Sequence, residues 1–248
     1  MTETPNPRER LTARTEDVLA SLPAMGRVML SARGGGATHE RIGTVERVAV
    51  EDGAIVLSGE AHDSRLDLAA IAGLVADRTS KMRDKALPRL ECQDAAGETL
   101  YSLIALDGPE LFEQALAPFG PGEALEPKEK PAPSAGGEKP EVPEGDLGAV
   151  SFAAIRATGT PVTVELRRPD LHQLWQGVLP EAKPAMGFVN LMEADFHLHL
   201  KAGAVARWLR REVPAGVELH GEDAEGAPLG LVLAGPAAAF ADVPGIAA

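Results

Sequence analysis

The stretch Leu90–Leu100, "LECQDAAGETL", returns near the far end of the chain as Leu219–Leu229, "LHGEDAEGAPL". Both share Leu-x-x-x-Asp-Ala-x-Gly and a closing leucine. Upstream, the two halves align without a gap at an offset of 134. Val28 falls on Val162, Arg33 on Arg167, Gly43 on Gly177, Leu57 on Leu191 and Val75 on Leu209. Order and spacing are kept although identity is low. A repeat of this length predicts two copies of one architecture within the chain.

Between the copies lies Pro121–Asp146, "PGEALEPKEKPAPSAGGEKPEVPEGD", with six prolines and seven acids and almost nothing apolar. Such a segment cannot offset its ordering entropy by burial, so it reads as an extended, solvated linker. The expected organisation is a first unit over residues 11–120, a linker over 121–147 and a second unit over 148–240.

Each unit reads mostly as strand. "RVMLSAR", "RIGTVERVAV" and "GAIVLSG" are short runs rich in β-branched residues and bounded by turn formers, and "TPVTVELRR" and "GFVNLM" repeat the theme. "DAAG" and "DAEG" supply the Asp and Gly of tight turns, and "RGGGA" reads as a hairpin turn. Helices are expected at "TARTEDVLASL" with a threonine cap, at "GPELFEQALAPF" and at "LGAVSFAAIRA". "LDLAAIAGLVADR" has helical propensity, but its repeat partner contains Gly203 and alternates around "AVARWLRRE", which favours strand for both. The fold class is α+β, a large antiparallel sheet per unit with a few flanking helices.

A net charge of −13 opposes nucleic acid and anionic membrane surfaces as partners. No apolar run reaches the roughly 18 residues of a membrane span, and the N-terminus lacks a signal-peptide core. A cytoplasmic protein is expected. The single cysteine, Cys92, beside a turn and without an activating partner, reads as a small buried residue. "RGGGA" lacks the Gly-Lys-Ser/Thr ending of a phosphate loop, and in "HERIG" Gly43 stands where a zinc helix needs its second histidine.

Two of the six histidines stand together in "FHLHL". On a strand His197 and His199 share one face and Leu198 and Leu200 the other. The pair reads as ligands, as solvent-facing residues, or as part of a pattern with another meaning. The offset of 134 places His199 on Arg65 and His197 on Asp63. Equivalent polar positions across a pseudo-repeat are one way to build a shared cleft.

With these pieces in order, the chain resembles the HemS/ChuX-type family of bacterial haem-trafficking and haem-degrading proteins. The resemblance rests on "LPAMGRVMLSARGGGATHERIGTVERV", "DSRLDL" and "LPRLECQDAAGETLYSLIAL" in the first unit. In the second it rests on "GFVNLMEADFHLHLKAGAVARWLRRE" and "VELHGEDAEGAPLGLVLAG". It implies two tandem HemS/ChuX-like units, haem as cofactor or cargo, and a role in haem-iron uptake, transport or hemin degradation. Haem-uptake or haem-degrading proteins are the implied partners. Arg65 matches an arginine that faces haem from the distal side, where a guanidinium suits an iron-bound oxygen or a propionate. His199 stands at the family's usual histidine.

The chain departs from the family in two places, and the tail "LGLVLAG" is one, lacking the polar and aromatic residues that relatives place near the haem. The helical segment that carries the iron-ligating histidine between the units, in a pattern like Asp-x-His-Gln-Phe-Phe, is replaced by the acidic linker. The candidate iron ligands become His199, His172 (in "PDLHQLW") and His39. Arg210, with Arg27, Arg33 and Arg207, would serve the propionates. Neither a flavin nor a nicotinamide motif accompanies them, so a haem carrier and a haem-degrading enzyme both stay open. A scaffold or regulatory paralogue that kept the fold and lost the ligand is the third expectation.

Overall fold

The computed structural model describes residues 6–82, 84–126, 128 and 141–247. These fall into two compact units. The first takes the chain up to Ala32 and again from Arg41 as far as the spacer. The second takes Arg33–Glu40 together with the chain beyond the spacer. The division departs from two contiguous halves, because the tip of one hairpin of the first repeat belongs to the second unit.

The first repeat contains β1 (Arg8–Arg10), α1 (Thr15–Leu19), β2 (Arg27–Gly34), β3 (Ala37–Thr44), β4 (Arg47–Glu51), β5 (Ala54–Ser58) and β6 (Asp63–Asp67). It continues with β7 (Gly73–Asp77), the short hairpin β8 (Lys81–Met82) and β9 (Lys85–Ala86), β10 (Arg89–Gln93), β11 (Thr99–Ala105), α2 (Pro109–Leu116) and β12 (Glu123–Ala124). An antiparallel sheet runs β12-β1-β7-β10-β11-β2, and β4-β5-β6 form a separate meander.

The second repeat contains α3 (Leu147–Ala157), β13 (Val162–Arg168), β14 (Leu171–Gly177), β15 (Lys183–Ala185), β16 (Phe188–Met192) and β17 (Phe196–Lys201). After these come β18 (Arg207–Val213), β19 (Gly216–Glu222), β20 (Pro228–Gly235) and β21 (Ile246–Ala247). Its large sheet runs β21-β18-β19-β20-β13-β14 and its meander β15-β16-β17. The first residues of β3 lie beside β17, where the Lys201 N–H donates to Gly36 O (2.9 Å).

The repeat is visible in the strand registers. Ala49 pairs with Val56 and Val56 with Arg65 in the first meander, and adding 134 gives Lys183 with Asn190 and Asn190 with His199, the pairs observed in the second. The two Asp-Ala-x-Gly turns are also alike. Asp94 Oδ1 accepts from the N–H groups of Ala96 and Glu98, and Asp223 Oδ1 from those of Glu225 and Ala227. Gly97 and Gly226 both stand at φ +81°, a conformation open to glycine at little cost. The strand expectation for "LDLAAIAGLVADR", drawn from its repeat partner, holds at its two ends, where Leu66–Asp67 close β6 and Gly73–Asp77 form β7, with a short 3₁₀ turn at Leu68–Ala70 between them.

Three local expectations are corrected. "RIGTVERVAV" is two strands, broken where the Glu46 N–H donates to Ser58 O and its carboxylate accepts from Glu60 N. The first helix begins only at Thr15, and its flanking Arg14 makes no side-chain cap bond. The spacer is ordered at both ends. Glu123–Ala124 pair with β1, whose edge carries open backbone groups, and Asp146 caps α3 through Ala149 N (3.0 Å). Residues 127 and 129–140 of the predicted linker lie outside the described residues.

Alternation along β17 buries Phe196, Leu198 and Leu200 in a core with Phe152, Trp175, Val189, Leu191 and Trp208. Phe196 stacks on Trp175 with ring centroids 4.5 Å apart. These inward contacts fix which way the alternate residues of β17 point. Cys92 is buried, as expected, and burial pushes its thiol up from the ordinary range, so it is no nucleophile.

Candidate functional site

His197 and His199 stand on the face of β17 that points away from the core, with ring centroids 5.9 Å apart. Glu40, in the portion of β3 that belongs to the same unit, reaches both. Its Oε2 lies 3.3 Å from His197 Nδ1 and 3.7 Å from His199 Nε2. The carboxylate is largely buried, and the two rings are partly exposed.

The neighbouring strand β16 orients His199. Asn190, directly across from it, donates its side-chain N–H groups to Lys183 O (2.9 Å) and Phe188 O (3.2 Å). Its Oδ1 is therefore turned toward His199 Nδ1, at 2.6 Å, and must accept. The His199 proton sits on Nδ1, and Nε2 faces Glu40 with its lone pair whenever the ring is neutral. Flanking this row, Met192 lies across from His197 and Phe188 across from Lys201, and both Met192 and Phe188 are exposed. Imidazole, cation and apolar surface thus share one sheet face.

The other candidates are held elsewhere. His172 donates through Nε2 to Glu165 Oε2 (2.6 Å), and Arg167 donates to the same oxygen (2.7 Å) and to Glu218 (2.7 Å). His220 completes this row on Glu218 (2.8 Å). Burial pushes the Glu165 carboxyl up, but the hydrogen bonds from His172 and Arg167 outweigh it and hold the group at about 2. Because its unfolded value is near 4.5, the stabilisation is complete above that pH and is lost as pH falls through 2. Glu165→Gln is expected to cost roughly 2–3 kcal/mol at neutral pH. The gap between variant and wild type should close by pH 2 in urea unfolding. A gap that stayed constant would show that the carboxylate is not the pH-sensitive element.

His39, the remaining ligand candidate, is held by neighbours within its own unit. It is fully buried, its Nε2 donates to Val164 O (3.1 Å), and its Nδ1 accepts from Gln173 Nε2 (2.8 Å). Both ring nitrogens are engaged, so as placed it offers no lone pair. Arg210 donates to Glu212, Arg207 to Glu222 and Arg27 to Asp107, so these three propionate candidates already carry carboxylate partners. Arg65, exposed on β6 of the first unit, donates to Glu51 O (3.0 Å). A depression of about 350 Å³ near Pro161 is lined by Glu165 and Glu218, an acidic wall ill-suited to an anionic ligand.

Glu40 and Asn190 were not singled out in the sequence. Glu40 is 157 residues from His197, and no spacing pattern joins them.

Residues 2–113 match the sequence model of the haemin-degrading HemS.ChuX domain. The solved structure of ChuS, an E. coli heme oxygenase, superposes with a TM-score of 0.73 at 18% identity, covering 94% of this chain and 86% of that one. Over residues 2–113 the chain is similar to the HemS/ChuX family, and its fold is that of ChuS. Apo-PhuS, a heme-binding protein from Pseudomonas aeruginosa, gives a TM-score of 0.71 at 20% identity, with 96% and 83% covered, and holo-PhuS gives 0.71 at 19%, with 92% and 81% covered. The profile match covers most of the first repeat, and the structural likeness shows the shared fold over nearly the whole chain. No curated protein sequence matches significantly. No described helix is long and apolar enough to cross a membrane.

Proposed function

We propose that this protein binds haem non-covalently and serves bacterial haem-iron utilisation in the cytoplasm as a carrier, with degradation as the alternative activity. The observation that carries the reading is the HemS.ChuX match, joined to a fold shared with a heme-binding protein and a heme oxygenase. His199 is the preferred iron ligand. A neutral imidazole held by a fixed acceptor on Nδ1 is a good donor through Nε2, and Phe188 and Met192 beside it offer apolar surface to a porphyrin. His172 ranks below it, because its Nε2 is committed to Glu165. Arg65 is the proposed distal cation, and Arg210 a weaker propionate partner given its bond to Glu212.

Titration of purified protein with hemin tests this directly. The expected result is a saturable Soret shift, with the spectrum altered by His199→Ala and the affinity lowered about tenfold by Arg65→Ala. Absence of any saturable shift would leave the scaffold reading. If binding occurs and neither variant changes affinity or spectrum, the residue assignment is wrong while the haem reading stands. Adding a reductant in air then separates carrier from enzyme: the Soret band persists in the first case and decays with release of iron in the second.

A further inference from the structure

We propose that Glu40, His197 and His199 form a binding site for a divalent first-row transition-metal ion of the zinc or cobalt class. The inference goes beyond the haem reading and does not require it. One ligand atom from each residue lies within 4.8 Å of the others, and one carboxylate oxygen is common to both imidazoles at 3.3 and 3.7 Å. Metal–ligand bonds of about 2.0–2.1 Å at tetrahedral angles place neighbouring donors about 3.3 Å apart, so the two Glu–His separations are near a coordination edge already. The two imidazole donors lie within 4.8 Å of each other, and rotation of the partly exposed His197 ring is what would close that edge.

The surroundings supply what such a site needs. Asn190 holds His199 in the tautomer that leaves Nε2 as a donor, the role that an outer acceptor plays for a ligating histidine. Asn190 is itself held by two backbone carbonyls, so the orientation does not depend on the ion. Without a cation, a neutral His199 would aim a lone pair at a carboxylate oxygen. A proton on Nε2 or a metal ion removes that repulsion, and the two compete for the same place. Two imidazoles and one carboxylate favour borderline ions over calcium or magnesium, which prefer all-oxygen shells. Three protein donors leave the remaining position or positions to water. The meander pairs in the same register in the first unit, but there Asp63 and Arg65 stand where His197 and His199 are. A cation on that strand leaves the trio specific to the second unit.

Calorimetric titration of chelator-treated, haem-free protein with Zn2+ is the test, with Co2+ absorption as a second readout. The expected result is one saturable site per chain, and visible Co2+ bands of a low-coordinate N/O site. Affinity should fall at least about tenfold in His197→Ala, His199→Ala and Glu40→Gln. Asn190→Leu should weaken it without removing a ligand. His172→Ala, a change in the Glu165 row, should leave it untouched. The histidines are on a partly exposed face, so their variants remain folded, as thermal unfolding will verify. No saturable uptake of either ion, or uptake lost in His172→Ala and kept in His199→Ala, would overturn the proposal. Hemin is absent throughout, so this outcome is separate from that of the haem titration.

Discussion

Replacing Arg78 with alanine is expected to lower the unfolding free energy by about 3–5 kcal/mol, the cost of leaving a buried charge without its partner. Arg78 donates to both oxygens of Glu113 (2.6 and 3.0 Å) and to Asn6 O (2.9 Å), and pairs with Glu9 at 2.9 Å. The Glu9 side chain is only 4% exposed, so the truncation strands a carboxylate that water cannot reach. The same guanidinium sits 5.8 Å from the centre of the Phe112 ring, so packing is lost as well. It ties strand β1 to helix α2. Lysine should not rescue, since a point charge cannot make the two-pronged contact with Glu113 while reaching Glu9. The double variant Arg78→Ala with Glu9→Gln should recover part of the loss in urea unfolding, because the stranded charge is gone. A double variant no more stable than the single one would locate the cost in packing alone.

Trp208→Ala is the counterpart in the second unit, with an expected loss of about 3–5 kcal/mol. Trp208 is fully buried on β18, and directly across from it stands Gly221, where a Cβ would come within 3.3 Å of the indole. A large residue and an absent side chain thus share one cross-strand space. The indole N–H donates to the buried Ser151 hydroxyl of α3 (2.8 Å), which fastens the helix to the sheet. Trp208→Phe keeps most of the volume and loses the donor, so it should cost about 1–2 kcal/mol, close to Ser151→Ala at about 1 kcal/mol. A Trp208→Ala variant as stable as Ser151→Ala would show that the cavity collapses at little expense. The chain has two tryptophans, so the remaining Trp175 reports unfolding in that variant by fluorescence.

The strand runs, the tight turns and the fold class were legible because they depend on alternation and turn chemistry within a few residues. The same logic puts His197 and His199 on one face of β17. The third helix, "LGAVSFAAIRA", also lies where expected, over Leu147–Ala157. What the sequence did not display were features decided at a distance. The edge strand Glu123–Ala124 comes from a segment whose composition forbids burial, and it forms because β1 offers unpaired backbone groups, not because its own residues ask for it. His39 looked like a ligand by residue type, but neutral hydrogen bonds to Val164 and Gln173 use both of its nitrogens. Arginines that looked available for an anionic ligand had acids beside them in space, in a chain with thirteen more acids than bases.

The sequence by itself determined that one unit is written twice, because the offset of 134 survives as an identical pairing register in both meanders. Register follows from which residues bury their side chains, and that pattern is local. Only the tertiary structure decided that Glu40 joins the histidine pair and that Asn190 sets which nitrogen of His199 carries the proton. Those neighbours depend on strand order across the sheet, where residues far apart in the chain come within hydrogen-bond reach, and no short-range periodicity encodes that order.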